Sequence, residues 1–242
     1  CNISVNNAYA LFHLCSNLTT LENVTINANN TRRMFQGCNS MPEIHDLVIS
    51  GNVAAQYYLD HTTGPNKARD LYFPTATSSY RFCYGNTSVM TSVHNIYFPN
   101  VTSITNTFYN ANNLVTVSNV YFNNITTQVT NNCFQYCYNL RTVENLCIPN
   151  ITNGYMLFYH CPNLENVSLK PMPNLTNAHA MFYSINNLTQ QSINNILSVL
   201  NNCPNIQNKR FSSVFLPQNY YLNAKLVNAP DYQAMYDKGW RL

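Results

Sequence analysis

The stretch from Asn132 to Thr152, NCFQYCYNLRTVENLCIPNIT, carries apolar residues at fixed steps that recur along nearly the whole chain. When its leading aromatic is aligned with matching residues elsewhere, successive positions differ by 23 to 26 residues. The aligned positions are Phe12, Phe35, Tyr58, Phe82, Phe108, Phe134, Phe158 and Phe182. Self-similarity at this period is typical of a solenoid, in which each repeat buries its apolar face only against its neighbours. The sequence therefore predicts an array of about eight repeats.

Each repeat can be divided into a strand and a turn. Its last apolar pair, as in Val120-Tyr121-Phe122, alternates inward and outward as a short strand does. The segment before the leading aromatic, for instance residues 177–184, fits a single helical or 3₁₀ turn. One strand per repeat in a constant direction builds a parallel sheet. We therefore predict an α/β repeat solenoid with one short parallel strand and one short helical or 3₁₀ turn per 23–26-residue repeat.

The third repeat, from about Ala54 to Phe73, departs from the pattern. The segment HTTGPNKARD at 61–70 replaces its middle apolar positions with polar and turn residues. Loops that interrupt a repeat project from one face and are often functional. His61, Lys67 and Arg69 are therefore candidate ligand-binding residues on a loop, and a tolerated insertion is the alternative interpretation.

Two rows of short polar side chains repeat in register with the apolar positions. Such side chains bond nearby backbone groups and tolerate left-handed conformations, which suits corners repeated at strand spacing. We assign both rows to structure, with ligand binding as the alternative. The first row is Asn23, Asp46, Asp70, Asn95, Asn119, Asn145 and Asn166, and the second is Asn17, Asn113, Asn139, Asn163 and Asn187.

Four of the nine cysteines, Cys15, Cys38, Cys137 and Cys161, lie three residues after a leading Phe. Ala111 and Ile185 take that place in two other repeats, so the position reads as a small buried apolar slot holding an inert thiol. Neither the Cys133/Cys137 pair nor His160-Cys161 has the second half of a zinc ligand set. No metal site is expected.

The periodic pattern ends after Asn187, which divides the chain into a solenoid at 1–188 and a C-terminal cap at 189–242. Residues 188–202 read as an amphipathic helix with Thr189 as its N-cap. FSSVFL at 211–216 reads as a strand, and 228–239 as a short helix. The chain begins at Cys1 without Met or a leader, so an upstream part is expected to be missing.

Composition argues against several function classes. Charged residues make up 9% of the chain, and 12 basic against 9 acidic residues form no basic stripe, so nucleic-acid binding is not expected. No apolar run reaches the roughly 18 residues that cross a bilayer, so membrane insertion is not expected. No G-x-S-x-G, Walker A, G-x-G-x-x-G or H-E-x-x-H occurs, so we expect neither catalysis nor a cofactor.

The outward residue of the strand motif is tyrosine in three successive repeats, at Tyr72, Tyr97 and Tyr121. These side chains are expected to form an exposed ladder on adjacent strands. Tyrosine combines apolar area with a polar tip and suits protein interfaces and sugars alike. The ladder is the leading ligand-binding hypothesis, and stabilisation of the sheet by cross-strand pairs is the alternative.

The signature F-x-x-C-x-N-L-x-x-V, clearest at 12–18, 134–140 and 158–164, resembles the BspA-like leucine-rich repeats over about residues 8–188. The closing LTQQSINNILSVL and Lys238-Gly239-Trp240 are similar to the tails of leucine-rich-repeat proteins from bacteriophages and gut bacteria. The resemblance implies adhesion at a bacterial surface or a place in a phage tail or fibre. It implies no catalytic residues.

The expectation for function is a non-enzymatic leucine-rich-repeat binding or structural module on a bacteriophage virion, in a tail, fibre or appendage that serves host attachment or assembly. A bacterial cell-surface adhesin is the second interpretation, and an accessory binding domain of a larger enzyme is the third. The expected partner is a protein or surface glycan of a host cell, or a neighbouring virion subunit. A homo-oligomer formed through a missing N-terminal region is also compatible with the sequence.

Overall fold

The computed structural model of the protein describes residues 1–51, 59, 63–85, 88–126, 132–203 and 220–240. Within these residues, eight strands form one parallel sheet in which sequence order and spatial order coincide, and three helices follow it. The elements are β1 Asn2–Ser4, β2 Val24–Asn27, β3 Ile44–Ser50, β4 Lys67–Tyr72, β5 Ser92–Phe98, β6 Thr116–Phe122, β7 Thr142–Leu146, β8 Asn166–Leu169, α1 Gln190–Asn201, α2 Tyr220–Val227 and α3 Tyr232–Asp237.

The core consists of equivalent apolar residues stacked along the solenoid. On β5 and β6, for example, Val93 pairs with Val117 and Ile96 with Val120, and all four are buried. Phenylalanines form two columns, one at the strand ends and one at the turns, with neighbouring rings 4.7–5.5 Å apart where they stack. Stacked pairs are Phe73–Phe98, Phe98–Phe122, Phe108–Phe134, Phe134–Phe158 and Phe158–Phe182, with Phe12–Phe35 at the first turn. The prediction of a parallel repeat solenoid is confirmed.

The prediction of a helical or 3₁₀ turn in each repeat is not confirmed for the described residues, where this segment is a run of turns. Around Phe108 the backbone is left-handed at Asn106 and Asn110, with φ of 55° and 57°. The amides of Phe108 and Asn110 donate to the carbonyls of Cys133 and Gln135 in the next repeat, both at 2.8 Å. The intervening amides of Thr107 and Tyr109 do bond within their own segment, to Ile104 and Asn106, so the bonds to the next repeat interrupt what would otherwise be a continuous helical series.

The same bonds correct the alignment of the third and fourth repeats. The amide of Leu59 donates to the carbonyl of Phe82, and that of Cys83 to the carbonyl of Thr107. In the regular repeats the amide of the leading residue donates to the carbonyl of the residue just before the next leading residue. Phe134, for example, donates to Leu157, which precedes Phe158. The leading positions are therefore Leu59 and Cys83. Tyr58, predicted to keep the register, lies outside the described residues, and Phe82 is offset by one.

Helix α1 covers the last edge of the sheet. Its N-cap is Thr189, as predicted, whose hydroxyl accepts from the amide of Ser192. Ser192 Oγ and Asn195 Oδ1 accept from the amides of Val167 and Leu169 on β8, at 2.9 and 2.8 Å. Helix side chains thus satisfy strand donors that would otherwise template pairing with another chain.

Trp240 closes the C-terminal cap. It is fully buried and donates from its ring nitrogen to the carbonyl of Leu200 at 3.0 Å. The short helix predicted at 228–239 is α3, and Gly239 follows it with φ of 90°. The predicted strand at 211–216 lies outside the described residues. Within the described part of the chain, no helix is both long and apolar enough to cross a membrane.

Candidate functional site

The outer surface of the sheet, which we call the strand face, owes its composition to a break in strand alternation. On β5, Val93 and Ile96 point inward and are separated by two residues rather than one. The second of these, Asn95, is left-handed with φ of 52°. A left-handed residue is costly for most side chains but is tolerated by Asn and Asp. Each central strand therefore presents two adjacent polar residues and then a tyrosine or its equivalent.

The left-handed residues of successive strands form a ladder of side-chain hydrogen bonds. Asn145 donates to Asn119 at 3.0 Å, Asn119 to Asn95 at 2.8 Å, and Asn95 to Asp70 at 2.7 Å. All donors point toward the amino-terminal strands, and the Asp70 carboxylate ends the chain of donors. The first predicted row is thus a structural ladder over most of its length.

Asn166, predicted as the last member of that row, does not belong to the ladder. The sheet register shifts between β7 and β8, so that Asn166 pairs with Thr142 rather than with Asn145. Strand β8 has one residue fewer between its inward positions, Val167 and Leu169. Without the extra residue there is no left-handed position at that level.

A charged cluster lies at the amino-terminal end of the ladder. Arg69 donates to Asp70 at 2.6 Å and to Glu43 at 3.1 Å, and it lies 3.7 Å from Asp46. Burial alone would raise the pKa of Asp70, but its bonds from Asn95 and Arg69 and the nearby positive charge outweigh burial and lower it. The ionised carboxylate is therefore the form that fits the ladder.

Glu22, His45 and Asp46 bring three potential metal-ligand atoms within 4.8 Å of one another. His45 Nδ1 already lies 2.7 Å from Asp46 Oδ2. The guanidinium of Arg69 is 3.7 Å from the same carboxylate oxygen. A fixed cation at that distance opposes a divalent ion through like-charge repulsion, so the arrangement favours an ion-pair network over a metal centre.

A second polar row runs beside the ladder on the central strands. His94 Nδ1 hydrogen-bonds to Ser118 Oγ, and Glu144 occupies the paired position on the next strand. Next to Glu144 the surface opens into a cleft of about 170 Å³ between β8 and α1, with Ser168 and Gln191 among its walls. The row supplies donors and acceptors at strand spacing, the arrangement that binds a polar ligand lying across the sheet.

The three predicted tyrosines lie side by side at the carboxyl ends of their strands. Tyr72 pairs in register with Tyr97, and Tyr97 with Tyr121. Tyr72 and Tyr97 are 43% and 40% exposed, and Tyr121 is half-buried. The rings of Tyr97 and Tyr121 stack at 4.8 Å and 3°. Stacked rings cover each other's faces, so they present edges and hydroxyls to solvent.

The predicted loop candidates are distributed differently. Lys67 and Arg69 belong to strand β4, so the expectation of a loop through 67–70 is wrong. Three of the first four residues of β4 are charged, so the strand does not show the simple alternation of apolar and polar residues expected from its sequence. The left-handed backbone at Asp70 allows two charged residues, Arg69 and Asp70, to follow each other on the outer side. Lys67 is exposed, whereas Arg69 is engaged with carboxylates. His61 lies outside the described residues.

The second asparagine row is structural where its bonds are seen. Each side-chain amide donates to a backbone carbonyl of the preceding repeat at 2.7–3.0 Å, which satisfies a group at the corner. The pairs are Asn113 to Ser88, Asn139 to Asn112, Asn163 to Tyr138 and Asn187 to Pro162.

The cysteine slot also has a polar role that its apolar interpretation missed. The thiols of Cys38, Cys137 and Cys161 donate to carbonyls of Phe12, Phe108 and Phe134 at 2.9–3.0 Å. In the fourth repeat Ser88 makes the same bond, to Leu59 at 3.1 Å. Cys38, Cys137 and Cys161 are buried as predicted, but Cys15, in the outermost repeat, is exposed. Burial raises the pKa of Cys137, which keeps it a thiol.

A second aromatic surface, on the turns, was not predicted. Tyr84, Tyr109, Tyr159 and Tyr183 each follow the leading residue of their repeats, and Tyr136 lies two residues after Phe134. Their rings are in contact from repeat to repeat. The alignment on Phe82 placed Tyr84 one position away from its true equivalents. With Cys83 as the leading residue, the recurrence of Tyr is visible in the sequence.

Comparison with protein-family models, with curated proteins and with solved structures finds no match to this chain.

Proposed function

We propose that this protein is a non-catalytic binding module whose strand face takes a surface glycan of a host cell. The observation that carries the proposal is the alignment of Tyr72, Tyr97 and Tyr121 beside a parallel row of polar side chains on the same sheet. An amphipathic aromatic row next to donors and acceptors suits a ligand that is rich in hydroxyl groups but carries little charge.

The geometry of the tyrosines determines how such a ligand is held. Because Tyr97 and Tyr121 stack on each other, a sugar meets their hydroxyls and ring edges rather than an open ring face. His94, Ser118 and Glu144 lie on the same side of the sheet and supply further hydrogen bonds. Ligand affinity then arises from many small polar contacts along the sheet, and preorganisation by the solenoid limits their entropic cost.

We place the module in a bacteriophage virion appendage, in a tail or fibre, with host attachment as its role. The support is the resemblance of the repeats to BspA-like leucine-rich repeats and of the closing segment to phage and gut-bacterial proteins. A bacterial cell-surface adhesin would use the same surface in the same way. Full-length sequences decide between them, because a tail-attachment segment upstream favours the virion and a signal peptide with a wall anchor favours the adhesin.

The test is binding of the recombinant chain to a glycan array and to intact bacterial cells. Wild type is compared with the triple variant Tyr72→Ala/Tyr97→Ala/Tyr121→Ala. Tyr236→Ala is the matched control, because Tyr236 is exposed to the same extent, 43%, but lies on α3 away from the strand face. We expect saturable binding by wild type and control, and its loss in the triple variant at an unchanged melting temperature.

Two outcomes would contradict the proposal. Binding that survives the triple substitution would show that the strand-face tyrosines are not the site. If wild type binds neither cells nor any glycan, the glycan-binding function itself is wrong, and the strand-face tyrosines then serve to stabilise the sheet.

A further inference from the structure

The strand face ends in a cleft, which we call the terminal cleft, where the sheet meets helix α1. On β7 the inward residues Val143 and Leu146 are separated by two residues, whereas on β8 Val167 and Leu169 are separated by Ser168 alone. The outer surface therefore loses one residue at this step, and α1 forms the far wall of a cleft of about 170 Å³. Pockets for drug-sized ligands begin at roughly 300 Å³, so the terminal cleft matches one small unit of a larger ligand.

Helix α1 covers the edge of β8 but leaves one backbone acceptor in the cleft. Asn195 engages both edge groups of Leu169, since its Oδ1 accepts from the amide at 2.8 Å and its Nδ2 donates to the carbonyl at 3.4 Å. The amide of Val167 donates to Ser192 Oγ, but the hydroxyl of Ser192 donates to the carbonyl of Glu165. The carbonyl of Val167 points to the same edge as its amide and accepts from no described residue. Because the side chain of Val167 is buried on the inner side, its backbone is the part that lines the cleft.

Glu144 gives the terminal cleft its charge. It is exposed on β7, and it is the one ionisable residue among the described residues that line the cleft. No described residue forms an ion pair with it, and Arg141, just before β7, bonds instead to Glu165 at 2.7 Å. The register shift also leaves Asn145 Oδ1, at the end of the amide ladder, without a donor among the described residues. This end of the strand face therefore combines one unpaired carboxylate with unused neutral acceptors.

We propose that the terminal cleft binds the ammonium group of an amino sugar at the end of the glycan, a sugar whose nitrogen carries no acetyl group. An ammonium group supplies three N–H donors, no acceptor and a positive charge. The Glu144 carboxylate and the Val167 carbonyl complement it, and hydrogen bonds that involve ionised groups are about twice as strong as neutral ones. Acetylation removes the charge, so an acetylated sugar would leave the carboxylate unpaired.

The cleft continues the polar row that the proposed glycan site uses. His94 pairs in register with Ser118, and Ser118 pairs with Glu144, which borders the cleft. A glycan that lies along this row reaches the cleft with its last unit. The inference therefore rests on the proposed glycan binding and adds the class of sugar that is recognised at one end.

The first experiment compares chitosan and chitin oligosaccharides of equal length, which differ in the acetyl group on nitrogen. Their dissociation constants for the recombinant chain are measured by isothermal titration calorimetry. We expect wild type to bind the chitosan oligosaccharide at least about tenfold more tightly, as for the gain of one hydrogen bond between charged groups. Glu144→Gln keeps the size of the side chain but removes its charge, so it should reduce this preference to about twofold or less.

Glu22→Gln is the matched control for the loss of charge. Glu22 and Glu144 each precede a left-handed asparagine, Asn23 and Asn145, so they hold equivalent positions toward opposite ends of the sheet. Glu22 is exposed but does not line the terminal cleft. Its substitution should leave the preference for the chitosan oligosaccharide equal to that of wild type.

The second experiment separates the cleft from the strand-face tyrosines with single sugars. D-glucosamine and N-acetyl-D-glucosamine are compared by ligand-observed NMR, because one sugar unit can occupy the cleft alone. We expect a binding signal for D-glucosamine that Glu144→Gln removes and Tyr72→Ala/Tyr97→Ala/Tyr121→Ala leaves unchanged. The triple variant should lose affinity for the oligosaccharides, which extend along the strand face.

Four results would overturn the inference. Wild type binds neither D-glucosamine nor chitosan oligosaccharides, whatever the glycan array shows. Wild type binds the two oligosaccharides equally. The preference survives Glu144→Gln. Glu22→Gln abolishes the preference as fully as Glu144→Gln does, which would trace it to net charge rather than to the cleft.

Failure of the proposed function gives a different result. If the tyrosine substitutions leave oligosaccharide binding unchanged while Glu144→Gln removes the preference for chitosan, the role of the strand-face tyrosines is wrong and the amino-sugar site in the cleft is supported.

Discussion

Removing the side chain of Asn119 tests whether the amide ladder stabilises the solenoid. Asn119 lies in the middle of the ladder, where its amide nitrogen donates to Asn95 at 2.8 Å and its oxygen accepts from Asn145 at 3.0 Å. Its backbone is left-handed, with φ of 53°. Asn119→Ala therefore removes two hydrogen bonds and places a side chain with no compensating polar group in a left-handed conformation.

The expected loss of stability follows from these two effects. Half-buried neutral hydrogen bonds contribute about 1 kcal/mol each, so the two bonds account for about 2 kcal/mol. The left-handed conformation adds about 1–2 kcal/mol for alanine, which brings the total for Asn119→Ala to about 3–4 kcal/mol. In Asn119→Gly the conformational strain disappears, and an entropic cost of about 0.5–1 kcal/mol replaces it. Glycine should therefore be less destabilising than alanine.

The assay is urea unfolding followed by circular dichroism and tryptophan fluorescence, with the two transitions compared because repeat arrays can unfold in parts. Asn166→Ala is the control, since Asn166 is exposed and outside the ladder, and its effect should stay within about 0.5 kcal/mol. The reasoning is refuted if glycine at 119 destabilises as much as alanine does. It is equally refuted if the control costs as much as Asn119→Ala.

Three further predictions concern other parts of the solenoid. The folded-state pKa of Asp70 is lowered, so the stability that this carboxylate contributes is present above its ordinary pKa of 3.8 and is lost as the pH falls through the lowered pKa. Asp70→Asn should therefore reduce the stability of the protein at neutral pH. In acid titrations the same variant should lose less stability than wild type below about pH 4. Mass spectrometry after native alkylation should find Cys15 modified and Cys133 protected until unfolding, since Cys15 is exposed and burial raises the pKa of Cys133. In thermal melts Gly51→Ala should lower the stability by at least about 1 kcal/mol more than Gly85→Ala. Both glycines have a positive φ, but only at Gly51 would a Cβ lie 2.1 Å from a backbone carbonyl oxygen, that of Ala28.

Sequence reasoning was reliable where a residue's role depends on its own repeat. The 3.6-residue pattern of α1 and its Thr189 cap were readable because both are local. The inward positions of the regular repeats, such as Val117 and Val120, were readable because each repeat presents the same apolar spacing to its neighbours. The outward direction of Tyr97 followed from the same pattern.

The misses arose where two repeats had to be compared atom by atom. The leading residue of the fourth repeat is Cys83, but its larger neighbour Phe82 imitates the aromatic of the other repeats, and only the bond from Cys83 to Thr107 distinguishes them. Strand β4 looked like a loop because the ion pairs of Arg69 are formed with residues from the preceding repeat and are invisible in a linear pattern.

The sequence by itself determined that the chain is a parallel solenoid, because a period of 23–26 residues with constant apolar spacing can bury its core only by stacking. Tertiary structure decided which side chains meet. The direction of the amide ladder toward Asp70, the sealing of β8 by α1 and the contact of Tyr136 with Tyr109 on the turns all depend on register between repeats. Register is set by hydrogen bonds and close packing across the stack, and a shift of one residue moves a side chain to a different neighbour.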